Sequence, residues 1–226
     1  MSSLQWAQLL VALGLVLLTT RRALPALILR RRPESLACTF LGPEDEKRIL
    51  DGSPVLQEAV DRLKRLHFFL LGVKVEKMPL WGGRFSEVAL AARDQSSFAS
   101  IVLQPFGAPA SVYFYTPLSP GSMAFTRDFA GGAQAESPGL SVRNVPNEEL
   151  EAVHRAHQER VAALRAQGYA ADLRPSQAGR IAATRAFYAS PYYRRLSAGR
   201  DHLMALSCAA SLALLLWAAL SPLLGT

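Results

Sequence analysis

Two stretches without a single charged residue, Met1 to Thr20 and Leu203 to Thr226, stand at opposite ends of this 226-residue chain and constrain its fold more than any other feature. Twenty helical residues rise about 30 Å, the thickness of a bilayer's hydrocarbon core. The expectation is therefore one transmembrane helix over residues 1–20 and another over 203–224. Arg21 and Arg22 set the inner limit of the first, because burying either would cost roughly 2.5–3.5 kcal/mol. No Lys or Arg precedes the first apolar run, and Thr19-Thr20-Arg21-Arg22 offers no small-x-small pattern, so it reads as an uncleaved anchor rather than a signal peptide.

The formal net charge of +7 suggests an acidic partner until its distribution is followed. Eight of the 25 basic residues, Arg21, Arg22, Arg30, Arg31, Arg32, Arg194, Arg195 and Arg200, flank the apolar ends. Residues 33–193 hold seventeen basic and seventeen acidic side chains. A neutral middle cannot neutralise many phosphates, so nucleic acid is not an expected partner. The flanking arginines, with Tyr192 and Tyr193 beside them, read as a membrane interface meeting lipid and anionic headgroups. Their position inside both runs predicts a cytoplasmic middle domain. Ala205, Ala209 and Ala213 recur every four residues, a small-residue face for helix packing against the first segment or a second copy.

Basic juxtamembrane segments over 21–39 and 191–202 leave residues 40–190 for one domain. Ser53-Pro54 supplies a cap and a first-turn proline, and Leu56, Val60, Leu63, Leu66 and Leu70 follow at helical spacing. Beyond it, Val73 and Val75 alternate with Lys74 and Glu76. Short apolar runs at 88–92, 101–103, 112–115 and 124–126 follow, separated by turn residues, and Leu140 to Val145 offers another. Their even spacing favours an antiparallel meander over βαβ units. The polar stretch Gly131–Gly139 reads as a loop, and Asn147 as the cap of a second amphipathic helix ending near Gly168. The predicted class is α+β: a meander of about five strands flanked by amphipathic helices, with a transmembrane helix at each end.

Chemistry-bearing residues are few. Glu151, His154 and His157 share about one face of the second helix and are the candidate metal ligands, in a Glu-x-x-His pair with a further histidine. No second Glu-x-x-His, no His-Glu-x-x-His, no phosphate loop and no nucleophile elbow accompanies them. The apolar stripe Leu150, Val153, Val161 and Leu164 equally makes His157 a packed histidine. Two cysteines, Cys38 and Cys208, define no disulfide framework. The function expected is a two-pass membrane protein displaying a cytoplasmic binding or scaffold domain, with a membrane or cytoplasmic protein partner or a second copy of itself. No cofactor is expected. The alternative is a membrane-anchored, metal-assisted enzyme acting through Glu151, His154 and His157.

Overall fold

A computed structural model describes residues 3–80, 83–104, 109–119, 121–129, 134–137, 139–146, 148–171 and 173–220. The centre is a mixed sheet whose strands β1 (Ala37–Phe40), β2 (Phe68–Lys77), β3 (Arg84–Ala92), β4 (Phe98–Leu103), β5 (Pro109–Ser119) and β6 (Ser122–Arg127) pair antiparallel in chain order. The meander then breaks. β8 (Leu140–Asn144) runs parallel to β6, the edge strand β7 (Ala135–Ser137) pairs with β8, and β9 (Ala170–Ala171) pairs with the end of β5. The fold is thus α+β and mostly antiparallel, with more strands than the five expected. β1 lies outside the expected meander and is short, with only Ala37, Cys38, Thr39 and Phe40 paired to β2.

Alternation along each strand sorts side chains between two buried faces. Val73, Val88, Leu90, Ile101 and Phe114 meet α3 (Pro54–Arg65) and the start of α4 (Leu150–Ala166) in one core. α2 (Pro43–Asp51) leads into this layer, and the Ser53 hydroxyl accepts the Leu56 N–H to cap α3. Ala91, Phe98, Tyr113, Tyr115, Met123 and Val142 face the other way, against α5 (Gln177–Ala189). Helices therefore cover both sides of the sheet, and its second face is no solvent face.

The ends are two long helices, α1 (Ser3–Arg31) and α6 (Pro191–Leu220), which pack on each other. Ser207 and Ser211 of α6 donate to the carbonyls of Leu15 and Ala12, and both Ser211 and Ala12 are buried. Among the described residues no helix is long and apolar enough to cross a membrane. This corrects the expected transmembrane helices over 1–20 and 203–224, and with them the two-pass architecture, the membrane localisation and the cytoplasmic placement derived from it. The basic pairs are not helix boundaries. α1 runs on through Arg21 and Arg22 to Arg31, and α6 contains Arg194, Arg195, Arg200 and Asp201. The strictly apolar run Leu9 to Leu18 covers only about 15 Å of helix, half the hydrocarbon thickness.

Candidate functional site

On the face beneath α5, the strand residues that alternate with the valines are polar and buried. Lys74 lies directly across from Glu87, and Ser100 directly across from Tyr113. Lys74 and Glu87 are wholly buried, and Glu76 nearly so. Charges in such a place must be paired. The Lys74 ammonium lies 2.6 Å from Glu76 and 2.8 Å from Glu87. Arg180, from the first turn of α5, reaches the same Glu87 oxygen at 2.7 Å and donates to the Ser100 and Tyr113 hydroxyls. The Tyr113 hydroxyl donates to the other Glu87 oxygen, and that of Tyr188 to Glu76 at 2.7 Å. Two cations thus face two carboxylates, and the cluster is neutral.

α5 can deliver Arg180 because it comes close to the sheet. Ser176 caps the helix by accepting the Gly179 N–H, and Gly179 and Ala183 are buried beside Arg180. Arg180, Thr184 and Tyr188 follow at four-residue spacing and present one polar stripe to the sheet. The guanidinium also stacks within 6 Å of the rings of Phe98, Tyr113 and Tyr115, where ring quadrupoles favour a cation.

The electrostatics follow from burial and pairing. Burial opposes ionisation of Glu87, but the charges of Arg180 and Lys74, with their hydrogen bonds, hold its carboxyl down at about 2. Burial lowers the Arg180 guanidinium, yet Glu87 and its neighbours outweigh that and raise it. Burial pushes the Tyr113, Tyr115 and Tyr188 phenols up, so all three remain neutral donors.

Above this cluster lies a cavity of about 230 Å³ between the sheet and α5. Phe85, Tyr113, Tyr115, Phe125, Phe187 and Tyr188 wall it, and Glu76, Arg180 and Thr184 supply its polar surface. It combines an apolar interior with a few placed polar groups, the usual composition of a small-molecule site.

The residues singled out from sequence lie elsewhere. Glu151 faces outward and accepts from Arg62, which also holds Glu149. His154 packs against the rings of Phe68 and Phe114. His157 is enclosed between the Thr116 and Thr126 hydroxyls, and burial lowers its pKa to about 3. Among the described residues no group of three metal-capable side chains forms. Tyr192 is buried against Phe187, and Tyr193 among Phe187, Tyr188, Leu29 and Leu36. Arg21, Arg31, Arg32, Arg194 and Arg195 are exposed and Arg30 half-buried, with Arg30, Arg31 and Arg194 lining one groove. Ala209 and Ala213 are exposed, and among the described residues Ser207 and Ser211 hydrogen-bond α1. The side chains of Arg22, Arg200 and Ala205, and residues 131–133, 138 and 147, lie outside the described residues; of the expected loop over 131–139, Ala135–Ser137 is strand β7, and the N-cap of α4 is Glu149.

Sequence reasoning missed the charge cluster because Lys74 and Glu76 alternate with valines in the manner of a solvent-facing edge. The available signal was the Arg180, Thr184, Tyr188 stripe on an alanine-rich helix, which pairs naturally with a sheet face carrying Lys74, Glu76 and Glu87. Comparison with known proteins finds no matching family model, no similar curated protein and no similar solved structure.

Proposed function

We propose that the chain is a small-molecule binding module whose site is the aromatic cavity between the sheet and α5. The observation that carries this reading is the cavity itself: about 230 Å³ of space in a half-open pocket, walled by rings and bordered by a buried charge cluster. Protein interiors are packed with few voids larger than a water molecule, and a dry cavity of roughly 150 Å³ takes benzene. A molecule of one ring with short substituents matches the volume.

Binding suits the site better than acid–base catalysis. A general acid or base works best with a pKa near the operating pH, whereas Glu87 is held at about 2 and the three tyrosines are pushed upward. The cluster reads as a rigid polar wall rather than a proton relay. The test is titration of single-ring aromatic probes into the full chain, followed by ligand-observed NMR. Saturable one-to-one binding is expected, and Phe85→Trp, which adds volume at the cavity wall, should weaken it about tenfold or more by occupying the space. Absence of binding by every probe would refute the reading.

A further inference from the structure

We infer that the ligand of this cavity is an uncharged molecule presenting an acceptor oxygen, held by the Thr184 hydroxyl beside Arg180. The inference rests on the binding reading above and deepens it from cavity to ligand class.

The polar hydrogens on the cavity wall can be followed one by one. The Tyr113 hydroxyl gives its hydrogen to Glu87, the Tyr115 hydroxyl to the Ala183 carbonyl at 3.1 Å, and the Tyr188 hydroxyl to Glu76. None remains for a ligand. Thr184 is different. Its Oγ1 accepts from the Lys74 ammonium at 2.6 Å and from an Arg180 Nη1 at 3.0 Å. A hydroxyl oxygen has two lone pairs and one hydrogen, so two cationic donors use its whole accepting capacity. What it has left is its own hydrogen, and no hydrogen bond donated by Thr184 is present among the described residues. Accepting from two cations polarises that O–H and strengthens it as a donor.

The Arg180 Nε also lacks a hydrogen-bond partner, but protein atoms cover it and keep it from a ligand, while Nη1 and Nη2 are both engaged. Arg180 and Thr184 both line the cavity. The Thr184 hydroxyl is thus the spare donor on this wall, and a buried donor without an acceptor is costly.

The charge balance decides what kind of acceptor. Lys74 and Arg180 are already matched by Glu76 and Glu87. A carboxylate ligand would add an uncompensated buried negative charge and an ammonium ligand a positive one, each at a desolvation cost that no free counter-charge offsets. A carbonyl, ether or hydroxyl oxygen takes up the spare Thr184 hydrogen without disturbing the balance. The aromatic walls accommodate the rest of the molecule.

Four probes of nearly equal size separate the possibilities at neutral pH on the full chain: ethylbenzene, acetophenone, benzoate and benzylammonium. Acetophenone is expected to bind about tenfold tighter than ethylbenzene, the effect of one good hydrogen bond. Benzoate and benzylammonium should each bind at least about tenfold more weakly than acetophenone. Thr184→Val should bring acetophenone down to the ethylbenzene level, while Thr184→Ser, which keeps the hydroxyl, preserves the preference. If Thr184→Val fails to fold, the ranking on the unaltered chain decides alone. Equal binding of ethylbenzene and acetophenone, or a preference for either ion, overturns the inference and leaves the cavity as a binding site. Failure of all four to bind overturns both.

Discussion

His157 is bonded through both ring nitrogens, and the direction of each bond can be deduced. Thr116 donates its hydrogen to the Ser96 carbonyl at 2.8 Å, so it accepts from His157 Nε2, and Nδ1 accepts from Thr126. The ring is neutral in the fold, with its pKa lowered from 6.5 to about 3 by burial. An unfolded chain would bind a proton below about pH 6.5 that the folded chain refuses until about pH 3. Stability is therefore full above that range and lost as pH falls through it. His154 shifts the same way, and Glu87, lowered from 4.5 to about 2, adds a further loss at lower pH. Denaturant melts should show stability declining on the order of 1–2 kcal/mol between pH 7 and pH 5. His157→Leu should flatten that slope while lowering neutral-pH stability by about 1–3 kcal/mol, since two threonine hydroxyls lose a partner. A pH-independent wild-type stability would contradict the buried neutral ring.

At the scale of elements, α5 is the one on which the site depends, and Gly179 sets its distance from the chain before it. A Cβ there would meet the Arg174 carbonyl oxygen inside van der Waals distance and lie 2.8 Å from the Arg174 Cβ. Gly179→Ala should displace the first turn of α5 and with it Arg180. The expected result is a loss of about 1–3 kcal/mol in stability and weaker probe binding, read by thermal unfolding and by titration. Unchanged behaviour in both would show that the turn yields freely. α5 is also the element that sequence periodicity did not disclose. α3 was legible because Ser53 caps it and Leu56, Val60 and Leu63 keep strict helical spacing, all three now buried. α4 was legible for the same reason through Leu150, Val153, Val161 and Leu164. α5 buries Gly179, Arg180, Ala183, Thr184 and Tyr188, so its inward stripe is small or polar and hydrophobic spacing cannot find it. The sheet face beneath it was hidden for the matching reason: a polar residue in alternation ordinarily signals solvent unless another polar surface covers it.

Across the whole molecule, the pairing of α1 with α6 joins the first helix to the last. Its close contact uses Ser211 and Ala12, both buried, whereas the alanine spacing on the same helix pointed two positions away, toward exposed Ala209 and Ala213. Helical spacing reports that small residues recur but leaves the rotational setting to the partner's surface. Ser211→Leu should force the helices apart and lower stability by about 1–3 kcal/mol, with faster hydrogen exchange along α1. Ala213→Leu should leave both unchanged. Equal effects of the two substitutions would contradict the packing face described.

The ion pair between Glu87 and Arg180 spans 93 residues, and this separation orders events while the chain is being made. At about 5–20 residues per second, the ribosome needs roughly 5–20 s to pass from one to the other. Throughout that interval the strands carrying Lys74, Glu76 and Glu87 present one ammonium and two carboxylates with no guanidinium to complete the set. The nascent sheet therefore waits with an open, net acidic face. The cavity over the cluster forms only when the arriving helix α5 turns that face into an interior.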